Sequence, residues 1–354
     1  MTIVQDTFDT VIPAQAKWSF TTRLVDAADV AALKPIDGTA KAGDLILVEI
    51  TEVNQHKKIQ LANGRYADSY AGDLAVLCLG DRYAPDQFMG RAELREDALD
   101  LLAGGGICGV VEAKHAKMAK PTQLRPLGRL VDRNGIAINI AKYAINDAAI
   151  PDDVTVIGVF GASMNAGKTT AAVSLAHGLA RAGYRVAGVK ATGTGAFGDF
   201  NAFRDASIPV TDFTDAGMPS TFRMPMERIE RGFNALVGTA AREGAEIVVV
   251  EIADGVFQGE TAAILKGSAI VKRMDGILFA TSDALGAVGG VSTLARYGHR
   301  PFALSGMLSL STLGTIEAET ETNLPVISRD ALCDGRTAAD LIAPLMRTKT
   351  QKAA

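Results

Sequence analysis

Cysteine is scarce in this sequence: Cys78, Cys108 and Cys333 are the only three in 354 residues, widely spaced and without a CxxC pair. That excludes a disulfide framework and a zinc knuckle, and it predicts buried thiols in a reducing, cytoplasmic compartment. Charge of one sign is missing as well. Lys plus Arg number 36 against 40 Asp plus Glu, a net charge of -4, so no overall field attracts nucleic acid or anionic lipid, and neither is an expected partner. No stretch reaches the roughly 18 uncharged apolar residues of a membrane span. Met1 to Trp18 has no basic n-region and no apolar h-region, and no internal repeat or low-complexity tract is visible. What is present is 48% hydrophobic residues and 36 glycines. Such a chain is neither disordered nor fibrous, and at roughly 150 residues per domain it suggests two domains that bury their cores unaided.

The two halves have different grammar. From about Lys41 to Tyr143, short apolar runs are punctuated by Gly, Asp and Asn, as in Asp44 to Ile50, Leu74 to Leu79, Gly106 to Val111 and Ile136 to Ile140. With Asn63-Gly64 and Asn134-Gly135 turns between them, these read as strands and hairpins of a small barrel or sandwich. A helix is expected near Arg91 to Leu102, closing at Gly104-Gly105-Gly106. His56 and His299 read as surface residues. The pattern breaks at Pro151-Asp152-Asp153, so the expected division is a β-rich domain over 1–148, an α/β domain over 149–347 and a tail over 348–354.

The second half repeats apolar strand, glycine turn and helix. Val154 to Phe160, Arg185 to Val189, Glu246 to Ile252, Gly276 to Ala280, Pro301 to Leu304 and Pro325 to Ile327 are strand candidates. Helices are expected over Gly167 to Ala182 and Pro225 to Glu243, with a loop-rich segment over Phe197 to Met218. Near-continuous apolar strands alternating with helices imply a mostly parallel sheet covered on both faces.

The sharpest motif follows the first of these strands: Gly161-Ala162-Ser163-Met164-Asn165-Ala166-Gly167-Lys168-Thr169-Thr170. It is a permissive Walker A loop, with Ala162 where the first glycine usually stands. A turn of this kind aims successive backbone N–H groups at a phosphate chain, while the positive helix end and the Lys168 ammonium neutralise its charge. Thr169 is suited to Mg²⁺ and Gly167 to close approach of the backbone. A chance glycine turn is the bland alternative, but the strand before and the Ala-rich helix after supply the context the motif requires.

Other chemistry gathers at strand ends. Lys190-Ala191-Thr192-Gly193-Thr194-Gly195 ends the second strand, at the edge where open α/β sheets bind ligands. Glu251, followed by Asp254-Gly255, ends a buried apolar strand, where a carboxylate is costly without a cation. Asp199, Arg204, Asp205, Asp212 and Asp215 follow Lys190, and one of them could assist metal or substrate. Thr281-Ser282-Asp283 and Ser305-Gly306 fall where a nucleotide base is often seated. The absence of an Asn-Lys-x-Asp run favours adenine over guanine.

With these residues the stretch from about Val154 to Ile327 resembles a dethiobiotin-synthetase-like P-loop family of unknown function, within the class that includes signal-recognition GTPases, MinD and BioD-type enzymes. The matching phrases are Ser163 to Thr170, Lys190 to Gly195, Asp212 to Gly217 and Ala253-Asp254-Gly255. The resemblance implies that Lys168 and Thr169 hold ATP and Mg²⁺, that Lys190 contacts phosphate and a carbamate substrate, and that Glu251 helps bind metal. The chain departs from dethiobiotin synthetase in Ala191, where a proline follows the strand-end lysine, and in Ile252 and Asp254, where glycines stand. Ser163 occupies the place of the MinD signature lysine, which speaks against a MinD-type dimeric switch.

The expected fold is therefore α/β, a mostly parallel-sheet P-loop NTPase domain preceded by a smaller β-rich one. The expected function is ATP- and Mg²⁺-dependent transfer of the γ-phosphoryl to, or activation of, a carboxylate or carbamate of a small molecule by a ligase- or kinase-like enzyme working as a homo-oligomer. Lys168, Lys190 and Glu251 are the catalytic candidates. Ser163, Met164, Asn165, Ala166, Gly167, Lys168, Thr169 and Thr170 cradle the nucleotide, Thr169 and Glu251 face the metal, and Thr192, Gly193 and Asp254 face the substrate. The alternative is a switch or chaperone ATPase whose hydrolysis drives the β domain on and off a protein client. A dead, scaffold-only loop is opposed by the intact Gly167, Lys168 and Thr169.

Overall fold

The structure is a computed structural model that describes residues 12–36 and 39–347. The expected tail at 348–354 and the first part of the N-terminal stretch, 1–11, lie outside the described residues. Two compact units divide the chain: Met1–Ala144 with Thr194–Phe197 and Gly217–Ser220, and Ile145–Gly193 with Gly198–Ala216 and Thr221–Ala354. No helix among the described residues is long and apolar enough to cross a membrane.

The first unit is built from strands β1 (Lys17–Trp18), β2 (Ala32–Lys34), β3 (Leu45–Glu52), β4 (Lys58–Gln60), β5 (Tyr66–Asp68), β6 (Leu74–Leu79), β7 (Phe88–Arg91), β8 (Leu99–Ala103), β9 (Ile107–Lys114) and β10 (Gln123–Val131). β3 pairs with β6 and β10, β10 with β8 and β8 with β9, and β9 then pairs in parallel with β6. The pairing path closes, which is a barrel rather than a two-sheet sandwich. Period-2 alternation sends Val48, Leu77 and Leu101 to one apolar cluster and Leu47, Val76 and Leu102 to another. Both faces are buried, so the strands read as unbroken apolar runs.

That double burial corrects the helix expected at Arg91 to Leu102. Arg91 ends β7 and Leu99 opens β8. Leu99 and Leu101 enter one cluster while Leu102 and Ala103 enter the other, so a spacing that imitates a helical stripe belongs to a strand covered on both sides. Ile136 to Ile140 forms only the bridges Val131↔Ala137 and Asp44↔Asn139 before a 3₁₀ turn over Ile140–Tyr143. His56 is not a surface residue. Its Nδ1 lies 3.0 Å from the Leu101 carbonyl and its Nε2 3.4 Å from Arg82 Nη1, and burial first, then Arg82, pushes its pKa down to about 4. Cys78 and Cys108 are buried free thiols, and Cys333 is a half-buried one. Residues 194–197 belong to this unit through Phe197, whose N–H donates to Gln60 Oε1 at 2.7 Å and whose ring meets Phe20 and Tyr66 edge-on.

The second unit alternates strands and helices: β11 (Thr155–Gly161), α1 (Lys168–Arg181), β12 (Val186–Lys190), α2 (Phe197–Asp205), β13 (Val210–Asp212), α3 (Met226–Arg242), β14 (Ile247–Glu251), α4 (Gly259–Leu265), α5 (Ala269–Arg273), β15 (Gly276–Ala280), α6 (Ala284–Arg296), β16 (Ala303–Ser305), α7 (Thr312–Thr322), α8 (Arg329–Cys333) and α9 (Gly335–Ile342). The strands form one parallel sheet in the order β13-β12-β14-β11-β15-β16. The molecule is thus mixed α/β. The stretch at Phe197 to Met218, expected as loop, holds α2 and β13, both too short to impose a readable period. Pro325 to Ile327 contributes only a bridge from Val326 to Leu304. Ala172, Leu175 and Leu179 of α1 pack on Ile157 and Val159 of β11, Val249 of β14 and Leu332 of α8. This holds the start of α1 directly beyond the end of β11.

Candidate phosphate-binding site

β11 leads through the loop of residues 161–167 into α1, the strand, loop and helix order that the sequence motif requires. Gly167 caps the helix in the left-handed region, at φ 94°, and supplies no side-chain cap, so the first-turn N–H groups remain open to an anion. Asn165 is also left-handed, at φ 65°. The loop is braced from both sides by backbone. Val256 N–H donates to the Gly161 carbonyl at 3.2 Å and Met307 N–H to the Ala166 carbonyl at 3.1 Å. A Cβ on Gly255 would collide with the Ala162 carbonyl oxygen, and one on Gly306 with the Ala166 carbonyl oxygen. Glycine is therefore required at these two positions by the closeness of the loop.

Strand register assembles the charges. Lys190 is paired with Glu251 across β12 and β14, and Glu251 with Val159 across β14 and β11. Lys190 Nζ forms an ion pair with Asp199 and lies 3.6 Å from Glu251 Oε1. Thr169 Oγ1 lies 2.9 Å from Asp199 Oδ1 and 3.0 Å from Glu251 Oε1. Lys168 is 7% exposed and donates to the Ser163 carbonyl at 2.7 Å. Burial lowers its pKa below the ordinary lysine value, Glu251 and Asp254 oppose that shift, and Lys190 reinforces it.

The structure thus brings Lys168, Thr169, Lys190 and Glu251 together. Ser163 and Asn165 are exposed along the loop and Thr170 in the first turn of α1, Met164 is half-buried and Ala166 buried. Thr192 and Gly193 have structural duties: Thr192 Oγ1 accepts from Ala253 N–H at 2.8 Å, and Gly193 N–H donates to Thr221 Oγ1 at 2.9 Å. Asp254 sits in the left-handed region, at φ 62°, close enough to act electrostatically on Lys168. Of the aspartates after Lys190, Asp199 is the one that reaches the cluster. Asp212 accepts from Thr214 N–H and Asp215 from Asp212 N–H, both at 2.8 Å, folding their own loop. Asp199 stands in the first turn of α2, a helix too short for the sequence to single it out from the other aspartates.

The donor set fits Mg²⁺. Thr169 has one hydroxyl proton for two carboxylate oxygens, so one of those contacts lacks a donor. Glu251 is 2% exposed, and its Oε2 has no hydrogen-bond partner among the described residues. Carboxylate and hydroxyl oxygens are hard ligands of the kind Mg²⁺ takes, with its remaining positions filled by water and phosphate. Among the described residues there is no group of three or more His, Cys, Asp or Glu that could hold a metal ion.

No family model matches the chain, and no curated protein does. Among solved structures, the signal recognition particle receptor FtsY of Elizabethkingia anophelis in complex with GDP is 14% identical, at TM-score 0.38, covering 59% of this chain and 68% of that one. Another structure of that receptor is 15% identical, at TM-score 0.32, covering 55% of this chain and 57% of its own. At this level of similarity the functional reading rests on the loop and the charge cluster themselves.

Proposed function

We propose that the second unit is a P-loop enzyme that transfers the γ-phosphoryl of ATP to a carboxylate or carbamate of a small molecule. The observation that carries this reading is the meeting of Lys190, Asp199 and Glu251 around Thr169, directly beside a loop whose own lysine is buried. Loop N–H groups and Lys168 hold the phosphate chain, and Lys190 bears on the phosphoryl group in flight. An acceptor carboxylate oxygen forms the new P–O bond as the bond to the ADP oxygen breaks, and ADP leaves with that electron pair. Thr169 and Glu251 would hold Mg²⁺, with Asp199 beside them, and the ion supplies charge neutralisation on the phosphates. Asp199 also holds the Lys190 ammonium at the sheet edge until phosphate competes for it. The working form under this reading is a homo-oligomer with a small-molecule partner.

The test is ADP release with ATP or GTP and Mg²⁺ in the presence of a metabolite pool, with mass-spectrometric detection of phosphorylated or ligated products. Lys168→Ala is expected to abolish turnover, and Lys190→Ala to lower kcat more than it weakens ATP binding. Full substrate-dependent ADP release in both variants would refute the assignment. Slow hydrolysis that only a protein accelerates, with no small-molecule product, would replace it with the switch reading.

A further inference from the structure

A cavity of about 410 Å³ opens beside the start of the phosphate loop, and its lining includes Thr281, Ser282 and Asp283, the stretch the sequence offers as a seat for the nucleotide base. Ala162 and Ser163 form one wall, Val256 and Phe257 a second, and Leu285 and Gly289 of α6 a third. Its size is that of a small-molecule site. Three observations indicate its occupant.

The first is direction. A P-loop lysine reaches the terminal phosphates of a nucleotide, and Lys168 Nζ reaches the Ser163 carbonyl. Ser163 therefore marks the terminal-phosphate end, and the cavity that it lines lies on the acceptor side rather than at the base. The second is chemistry. The lining contains no Lys, Arg or His among the described residues, and the Asp283 carboxylate accepts from Gly286 N–H at 2.7 Å, capping its own helix. Phe257 and Leu285 are 79% and 80% exposed at the mouth, apolar surface available to a ligand. The third is Gly289. A Cβ on Gly286 would meet Thr281 Oγ1 and one on Gly290 the Phe279 ring, so packing within the protein accounts for both. One on Gly289 would meet nothing within 4 Å. Glycine inside a helix costs about 1 kcal/mol relative to alanine, and no neighbour in the protein requires it there.

We propose that this cavity takes the apolar portion of the acceptor, a small carboxylic acid whose chain or ring lies between Val256, Phe257, Leu285 and the bare face of α6 at Gly289. Its carboxylate points toward Ser163 and Lys168. The acceptor role rests on the phosphoryl-transfer reading, whereas the binding itself does not.

The experiment measures octanoate binding by calorimetry and binding of a fluorescent ATP analogue with Mg²⁺, in the full chain and in Gly289→Ala and Gly289→Leu. Both substitutions suit a helix, so thermal stability is expected to hold or rise. Octanoate should bind the parent protein, bind progressively more weakly in the two variants, and lose at least tenfold in Gly289→Leu, with nucleotide affinity unchanged. If octanoate behaves so but no nucleotide binds any of the three proteins, the cavity assignment stands and the phosphoryl-transfer reading falls. If nucleotide binds the parent protein and octanoate does not, or if Gly289→Leu leaves octanoate affinity within twofold, the cavity assignment is overturned. A loss confined to nucleotide binding overturns it as well, because the base then occupies the cavity.

Discussion

Replacing Gly255 by alanine probes the phosphate loop without touching any charged group. Gly255 is not among the residues at positive φ, so alanine can adopt its backbone conformation and the effect is steric. The added methyl would press on the Ala162 carbonyl oxygen and would stand 2.9 Å from Ser163 Cα and 3.0 Å from the Ala162 carbonyl carbon, where ordinary contact begins at 3.4 Å. These are backbone atoms and cannot rotate away, so the start of the loop has to shift by about 0.5–1 Å. Displacement on the order of 1 Å costs about 100-fold in a positioned reaction, or about 2.7 kcal/mol of transition-state stabilisation. The expected result is a loss of about that size in kcat/KM for ADP release, with thermal unfolding changed far less. Gly259→Ala is the control, since a Cβ there meets nothing within 4 Å. The reasoning fails if Gly255→Ala binds nucleotide and turns over within twofold of Gly259→Ala.

Two further outcomes follow from protonation. His56 stays neutral in the folded chain down to about 4 while an unfolded histidine takes up its proton near the ordinary value of 6.5, so His56 removes stability as pH falls through that window. His56→Asn, whose amide can still donate to the Leu101 carbonyl, should lose about 2 kcal/mol less than the parent between about pH 7 and 4.5. Urea unfolding followed by the single tryptophan, Trp18 of the same unit, measures this, and parallel curves would disprove it. For Lys168 the shift is also downward from 10.5, so the nucleotide-free ammonium gives up its proton early, and bound phosphate restores it. Nucleotide binding just below pH 10.5 should take up a proton and weaken as pH rises. Calorimetry in buffers of different ionisation enthalpy reads the uptake, and an uptake of zero at about pH 10 contradicts the account.

Much of the second unit is legible because its local rules agree. The apolar run before Gly161, the glycine turn and the Ala-rich helix each favour the structure that forms, and Lys168 and Thr169 follow from their places in that turn. The first unit is harder to read. A strand buried on both faces has no alternation, so Leu99 to Ala103 imitates a helix, and parallel closure of the barrel at Cys78 and Ile107 leaves no local trace.

Near-neighbour chemistry in the chain specifies the phosphate loop, the acidic end of β14 and the lysine that ends β12. Folding adds which of these groups meet. Register aligns Lys190 with Glu251, the first turn of α2 brings in Asp199 out of four aspartates, and Gly255 and Gly306 hold the loop from positions far along the chain. Such meetings depend on strand pairing between distant segments and on backbone approaching backbone, and neither has a period or a motif to reveal it.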